Sequence, residues 1–249
     1  MSGYADFSLV YDTLTENADY PGRAAYILKL LEQSGVTGGL LLDLACGTGR
    51  LGIELSKAGF EVIGVDASED MLGVAAENAA EAEQSIMLLC QDMKELDLYG
   101  TVNAAVCALD SINHLTKLED VSAALRRLSL FIEPGGVFVF DVNTLYKHRR
   151  VLADNTFVYD LDDVYCVWQN TLEDDGRTVD IDLDFFVYNE SEDSYYRSGE
   201  SFSERAYTLD ELTDALKDAG FTVSRVCGEL SLEPPAEDEQ RIFIVAERK

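Results

Sequence analysis

The sequence predicts an α/β fold: a doubly wound, seven-stranded, mostly parallel sheet that carries an inserted antiparallel β subdomain. Three observations carry that expectation. From about residue 38 to 142, short apolar runs alternate with amphipathic stretches, the pattern of βα units that build a parallel sheet. From about 156 to 207 the period changes to two, with Val179, Ile181, Leu183 and Phe185 alternating with Asp180, Asp182 and Asp184. From 208 the βα pattern returns.

Taken in order, the first five strands are expected over 39–45, 60–65, 85–90, 102–109 and 137–142. After the second, Ser68 can cap a helix whose first turn is acidic (Glu69, Asp70) and whose Met71, Leu72, Ala75, Ala76 and Ala79 share a face. Before the fifth, Leu118, Val121, Leu125, Leu128 and Ile132 recur at helical steps until Pro134-Gly135-Gly136 stops the chain. The segment 156–207 reads as antiparallel strands with a turn at Asp174-Asp175-Gly176. Thr208 and Glu211 stand at capping-box spacing, opening a helix that runs to Ala219 and stops at Gly220, and strands near 221–227 and 241–247 complete seven in the main sheet.

Charge excludes some partners. The 249 residues hold 47 acidic and 19 basic side chains, a net charge of −28, which repels a phosphate backbone, so no nucleic-acid partner is expected. No run approaches a membrane span and the amino end lacks a signal-peptide layout, which points to a cytoplasmic protein without a membrane partner. Five cysteines without CxxC spacing and two histidines encode neither a disulfide framework nor a metal site. The oligomeric expectation is a monomer or homodimer.

The first strand runs into Asp43-Leu44-Ala45-Cys46-Gly47-Thr48-Gly49-Arg50 and a helix follows at once. Glycines there let the chain turn tightly and let a ligand approach unpaired N–H groups at the helix start. Gly47, Gly49 and Gly52 also spell G-x-G-x-x-G, shared with nicotinamide and flavin sites. Asp43 weighs against those: a carboxylate at the end of the first strand is awkward beside a pyrophosphate and welcome beside a cationic amino acid group. Asp66 closes the second strand, where it can accept from ribose hydroxyls, and Asp92 follows the third, where it can accept from the adenine amine. Any one of these aspartates alone equally suits a helix cap. Three at successive strand ends describe a cleft for an adenosyl group with an amino acid tail.

These residues resemble class I S-adenosylmethionine (SAM) dependent methyltransferases. Asp43 to Gly49 is similar to their glycine-rich motif, Val65-Asp66-Ala67-Ser68 with Met71-Leu72 to their ribose-binding stretch, and Gln91-Asp92-Met93 and the run from Leu130 to Gly136 to later family features. The resemblance covers residues 38–142 and returns more weakly over 208–247. Ala45 departs from a frequent glycine. The resemblance implies that Asp43, Ala45, Cys46, Gly47 and Gly49 hold the methionine part of SAM, and that S-adenosyl-L-homocysteine (SAH) is the product. It further implies that Asp66 holds the ribose, Ala67 and Met71 the adenine faces, Gln91, Asp92 and Met93 the adenine edge, and Leu109 and Asp110 the sulfonium end. Tyr11-Asp12 and Tyr20-Pro21 resemble the opening of small-molecule members, in which a helical lid covers the cofactor. That divides the chain into a lid (1–37), a core (38–155 and 208–249) and an insert on the substrate side (156–207), with Tyr11 and Tyr20 near the cofactor.

Methyl transfer from a sulfonium needs alignment rather than a protein nucleophile, so no catalytic triad is expected, and the resemblance to small-molecule members together with the acidic charge implies a small-molecule acceptor bearing N or O. Ser111-Ile112-Asn113-His114 follows the fourth strand, with Asn113 as an acceptor contact and His114 as a general base. Tyr165, Trp168 and Arg197 of the insert are expected to line the acceptor pocket, where the aromatic density resembles the insert of sugar-amine N-methyltransferases; covering the sheet or a dimer contact explains it equally. Three alternatives stand beside this reading: a nicotinamide-dependent oxidoreductase, a noncatalytic protein-binding module on the same fold, and an RNA methyltransferase. Asp43 and the charge balance speak against the first and the third.

Overall fold

The computed structural model describes residues 11–15 and 18–249. Among these residues eleven strands form two sheets: β1 (Gly39–Leu44), β2 (Phe60–Asp66), β3 (Ile86–Cys90), β4 (Val102–Cys107), β5 (Ile132–Asn143), β6 (Thr156–Asp160), β7 (Val164–Leu172), β8 (Thr178–Asn189), β9 (Ser194–Arg205), β10 (Phe221–Gly228) and β11 (Arg241–Arg248). The main sheet has seven strands in the order β10-β11-β5-β4-β1-β2-β3, parallel except for β11, which runs against both neighbours. Strand order reverses between β4 and β1, so a crevice opens at the carboxyl ends of those strands, where open α/β sheets bind ligands.

Both faces of this sheet are covered, so its strands read as apolar runs. Successive residues point to opposite sides: Leu41, Val62, Val106 and Phe243 meet α1 (Tyr20–Gln33) and α2 (Arg50–Lys57), and Leu42, Phe138, Phe140 and Ile244 meet α4 (Leu118–Ser129) and α5 (Leu209–Asp218). Each fully buried leucine in these layers contributes roughly 1.5–3 kcal/mol relative to exposure. The helix α3 (Glu69–Glu81) starts where Ser68 Oγ accepts the Met71 N–H at 3.2 Å, and α5 starts with the expected reciprocal capping box of Thr208 and Glu211.

Two strand boundaries differ from expectation for backbone reasons. β5 begins at Ile132, which pairs with Val102 before the register shifts across Pro134–Gly136, and a Cβ at Gly136 would stand 2.8 Å from the Asn103 carbonyl oxygen. β4 ends at Cys107, because Leu109 and Asp110 both turn into the left-handed region (φ 57° and 56°).

The second sheet is antiparallel, in the order β6-β7-β8-β9. Its register sorts side chains by face. Tyr165, Phe186 and Arg197 form one cross-strand row, and Trp168 and Leu183 belong to the opposite face with Val164, Cys166, Val179, Ile181 and Phe185, which form the insert's core. Among the described residues no helix is long and apolar enough to cross a membrane. All five cysteines are free.

Candidate active site

At the carboxyl end of β1 the chain turns through Ala45 (φ 58°), Gly47 (φ 53°) and Gly49 (φ 74°) into α2. A Cβ on Gly49 would stand 3.1 Å from that of Ala75, and one on Gly52 would stand 3.0 Å from Asp43 Oδ2, so the last two glycines of the motif are packing requirements. Asp43 is 2% exposed, and its Oδ2 has no hydrogen-bond partner among the described residues. Burial, reinforced by the negative Asp66 and opposed by the Gly52 N–H, pushes its carboxyl up to about 7. Asp66 accepts the Gly47 N–H on Oδ2 at 2.8 Å and the Ser68 N–H on Oδ1 at 2.9 Å, tying the end of β2 to the glycine loop.

The amino-terminal segment is fastened over this loop by Asp12. Its carboxylate accepts from Thr48 Oγ1 at 2.6 Å, from Arg50 Nε at 2.8 Å and from Asn78 Nδ2 at 2.9 Å. Tyr11 thereby lies between two spaces. It lines the small cleft above the loop together with Tyr20, Asp43, Ala45, Gly47 and Ala108, and also lines a cavity of about 440 Å³ beneath the inserted sheet. Leu109 is shared by both. Burial, with Tyr20 and Asp110 nearby, raises the Tyr11 phenol well above its ordinary value, so the hydroxyl stays neutral.

The turn that presents Leu109 and Asp110 is held from below. Asp141 at the end of β5 is fully buried and accepts the Leu109 N–H at 2.9 Å and the Asp110 N–H at 2.8 Å. Arg241, the first residue of β11, bonds Asp141 and reaches Asp110 at 3.2 Å. Burial alone would raise the Asp110 carboxyl, but Arg241 and Lys147 hold it at about 2. Asp110 is therefore a permanent anion.

Glu204, another of the three acids that line the cavity among the described residues, behaves oppositely. Glu204, from β9, is 5% exposed, and burial beside the negative Asp110 pushes its carboxyl up to about 8 against the pull of Asn143, Lys147 and Arg241. Asn143 Nδ2 donates to Glu204 Oε2 at 3.0 Å, and the chain's two histidines flank the carboxyl, His114 Nε2 at 3.8 Å from Oε1 and His148 Nε2 at 3.7 Å from Oε2. Tyr159, Trp168 and Phe202 add an aromatic side to the wall, with Phe202 stacked on His114 at 5.0 Å between centroids, and Arg23, Lys147, Glu229 and Arg241 line it as well.

Several expected site residues have other work. Asn113, expected at the acceptor, is fully buried; its amide accepts from Asn143 N and donates to the carbonyls of Asn143 and Arg205, which joins the two sheets. Tyr165 and Arg197 are on the face of the insert away from the cavity, where Arg197 pairs with Asp184 at 2.6 Å and covers the Phe186 ring. Period-two geometry separates them from Trp168, which does line the cavity. Of the residues expected around the adenine, Gln91 bonds the Asp97 backbone, Asp92 caps the turn that contains Met93, Ala67 is exposed just after the end of β2, and Met71 is a buried residue of α3, positions that leave the adenine assignment open. His114 lines the cavity with 43% of its side chain exposed. Sequence reasoning missed Asp12, Asp141, Asn143, Lys147, Glu204 and Arg241. The position of Asp141 near a strand's carboxyl end was a readable signal; the others meet only through tertiary contacts.

The cleft has the chemistry of a SAM site: a buried carboxyl with one unbonded oxygen lines it, as a cationic amino acid head requires, and a Cβ at Gly47 would meet nothing within 4 Å. The family model of the methyltransferase domain matches residues 41–136. Over 246 residues the chain is 34% identical to the methyltransferase-named YqeM of Bacillus subtilis (strain 168), covering 98% of this chain and 97% of that one. It is 29% identical over 195 residues to a glycine/sarcosine N-methyltransferase of Parasynechococcus marenigrum (strain WH8102), covering 77% and 67%. The crystal structure of a SAM-dependent methyltransferase from Clostridium acetobutylicum ATCC 824 superposes with a TM-score of 0.89 at 30% identity, covering 99% of each chain. With the glycine loop, the buried Asp43 carboxyl and the strand order all of one kind, the chain belongs to the SAM-dependent methyltransferases.

Proposed function

We propose that this enzyme methylates the nitrogen of a small amine seated in the cavity beneath the inserted sheet. The observation that carries the reading is the makeup of that cavity. About 440 Å³ suits a small molecule, and its Tyr159, Trp168 and Phe202 rings attract an ammonium group by cation–π contact, while the acids Asp110, Glu204 and Glu229 stand against the Arg23, Lys147 and Arg241 cations of the same wall. The glycine/sarcosine N-methyltransferase relative supports an amine acceptor.

Asp43 would hold the ammonium end of SAM, the Cys46–Thr48 backbone its amino acid part, and Asp66, bonded to the Gly47 N–H at the edge of that loop, its ribose, as the sequence suggests. When bound, SAM supplies a methyl group on a sulfonium, which needs no protein nucleophile. The chain's own task is alignment and exclusion of water. Tyr11 and Leu109 line both spaces and would set the line of transfer, and the inserted sheet roofs the acceptor.

The test is SAH release from a panel of glycine, ethanolamine and 3-amino-3-deoxyglucose, set against glycolate, ethylene glycol and glucose as hydroxyl counterparts. Turnover confined to amines is the expected outcome. Methylation of the hydroxyl compounds alone, or of none of the six, refutes the assignment.

A further inference from the structure

We infer that Glu204 takes the proton that an amine acceptor must lose before methylation, and that His114 hands this proton on to solvent. The inference rests on the amine reading above and deepens it by assigning the base.

Four features of the geometry point to Glu204. It comes from the inserted sheet and lines the cavity proposed for the acceptor, whereas the glycine loop lines the separate cleft. Its partners leave room for a proton: Asn143 satisfies one position on Oε2, and the flanking histidine nitrogens stay at 3.7 and 3.8 Å, longer than a hydrogen bond. His148 is fully buried, and its Nδ1 lies 2.8 Å from the Arg177 carbonyl oxygen. A carbonyl only accepts, so Nδ1 carries the hydrogen and the neutral ring turns the lone pair of Nε2 toward Glu204. That lone pair disfavours a carboxylate and accommodates a carboxylic acid. Finally, His114 faces the other oxygen and opens to solvent at the cavity mouth, which gives the proton an exit.

Asp110, which lines the same cavity, cannot share the task. Asp110 is clamped by Arg241 and Asn143, and its carboxyl is held at about 2, whereas that of Glu204 lies at about 8. Two acids whose environments drive them apart divide the work into a fixed anion and an exchangeable one. The groups that face Glu204 are His114 and Asp110 from the segment after β4, Asn143 from β5, Lys147 and His148 from the helical turn over 145–152, and Arg241 from β11.

The balance is simple. An amine arriving as ammonium passes one N–H proton to the Glu204 carboxylate, which becomes a carboxylic acid, and the freed lone pair forms the bond to the methyl carbon. The carbon–sulfur bond breaks with its pair kept by sulfur, and the product leaves as an N-methylammonium. Glu204 then loses its proton through His114 Nε2 to water, so one proton is released per turnover.

The experiment uses the full chain with glycine and ethanolamine, amines that remain ammonium at pH 8. Wild-type kcat/KM should rise about tenfold per pH unit and level off near pH 8, the value set by Glu204. Glu204→Gln should lower kcat/KM at pH 8 by about 10²–10⁴-fold, remove the levelling near pH 8, and leave SAH affinity by calorimetry unchanged. Glu204→Asp, which keeps a titrating carboxyl, should restore part of the rate together with a levelling point, and it carries the test if the glutamine variant does not fold. A glutamine variant with the wild-type profile, or with less than a tenfold loss, overturns the inference while leaving the amine reading intact. A wild-type enzyme that methylates only the hydroxyl counterparts overturns the amine reading and the base assignment with it.

Discussion

Cofactor affinity should depend on pH through Asp43, and the size of the effect follows from its surroundings. The side chain is 2% exposed, its Oδ2 has no hydrogen-bond partner among the described residues, and Asp66 adds a like charge, so its carboxyl lies at about 7 rather than 3.8. Only the ionised form attracts the ammonium group of SAM or SAH. With a midpoint of about 7, the ionised fraction is about one in eleven at pH 6 and about ten in eleven at pH 8, so the Kd for SAH should fall about tenfold over that interval, close to 1.4 kcal/mol. Folding raises this pKa, so the native state holds the proton more tightly than the unfolded chain. The contribution of Asp43 to ligand-free stability is thus lost as pH rises from about 4 to about 7, and is recovered when a cation binds. Calorimetry of SAH at pH 6, 7 and 8 in buffers of different ionisation enthalpy reads both the Kd and the protons released. Asp43→Asn should abolish the pH dependence and bind SAH at pH 8 at least tenfold more weakly than the wild type. An unchanged Kd between pH 6 and pH 8, or an asparagine variant of wild-type affinity, would refute the reasoning.

Three further outcomes are expected. Asp12→Ala removes the acceptor of three hydrogen bonds from Thr48, Arg50 and Asn78; because Arg50 is half exposed, its share is discounted, and SAH affinity should drop by about 1–2 kcal/mol on calorimetry. Asp141→Asn strips the charge opposite Arg241 and leaves one of the Leu109 and Asp110 N–H groups without an acceptor. The cost should be about 3–5 kcal/mol in urea unfolding, and a loss below about 1 kcal/mol would show that this buried pair does not hold the turn. Trp168→Ala opens the aromatic wall and should raise the KM for an amine acceptor by about tenfold or more with SAH affinity unchanged; an equal loss of both would place Trp168 in the scaffold rather than the acceptor pocket.

How much of the site was legible varies with how local its determinants are. Asp43, Gly47, Gly49 and Asp66 belong to single strand-turn-helix units, in which spacing alone places a residue at a strand end, so their neighbourhood was readable. His114 was readable as a cavity residue for the same reason, since it follows β4 within one turn. Asn113, its neighbour, went the other way: the same turn that exposes His114 drives the Asn113 amide inward against the backbones of β5 and β9. No local rule distinguishes two adjacent polar residues when the deciding partners lie 30 and 92 positions away. Within the insert, aromatic density was visible but the facing was not, because Tyr165 and Trp168 are separated by an odd step, and only the register with β8 decides which of them looks into the cavity.

By itself the sequence determined the α/β class, the seven-stranded sheet, the antiparallel insert, the glycine loop and the acid beside it, because each depends on periodicities and turn residues that act over a few positions. The tertiary structure alone decided what the acids do. Asp141 becomes the anchor of a left-handed turn, Asp110 a fixed anion, and Glu204 a protonatable group, since a carboxyl's behaviour is set by its depth and by cations and lone pairs brought beside it from distant strands.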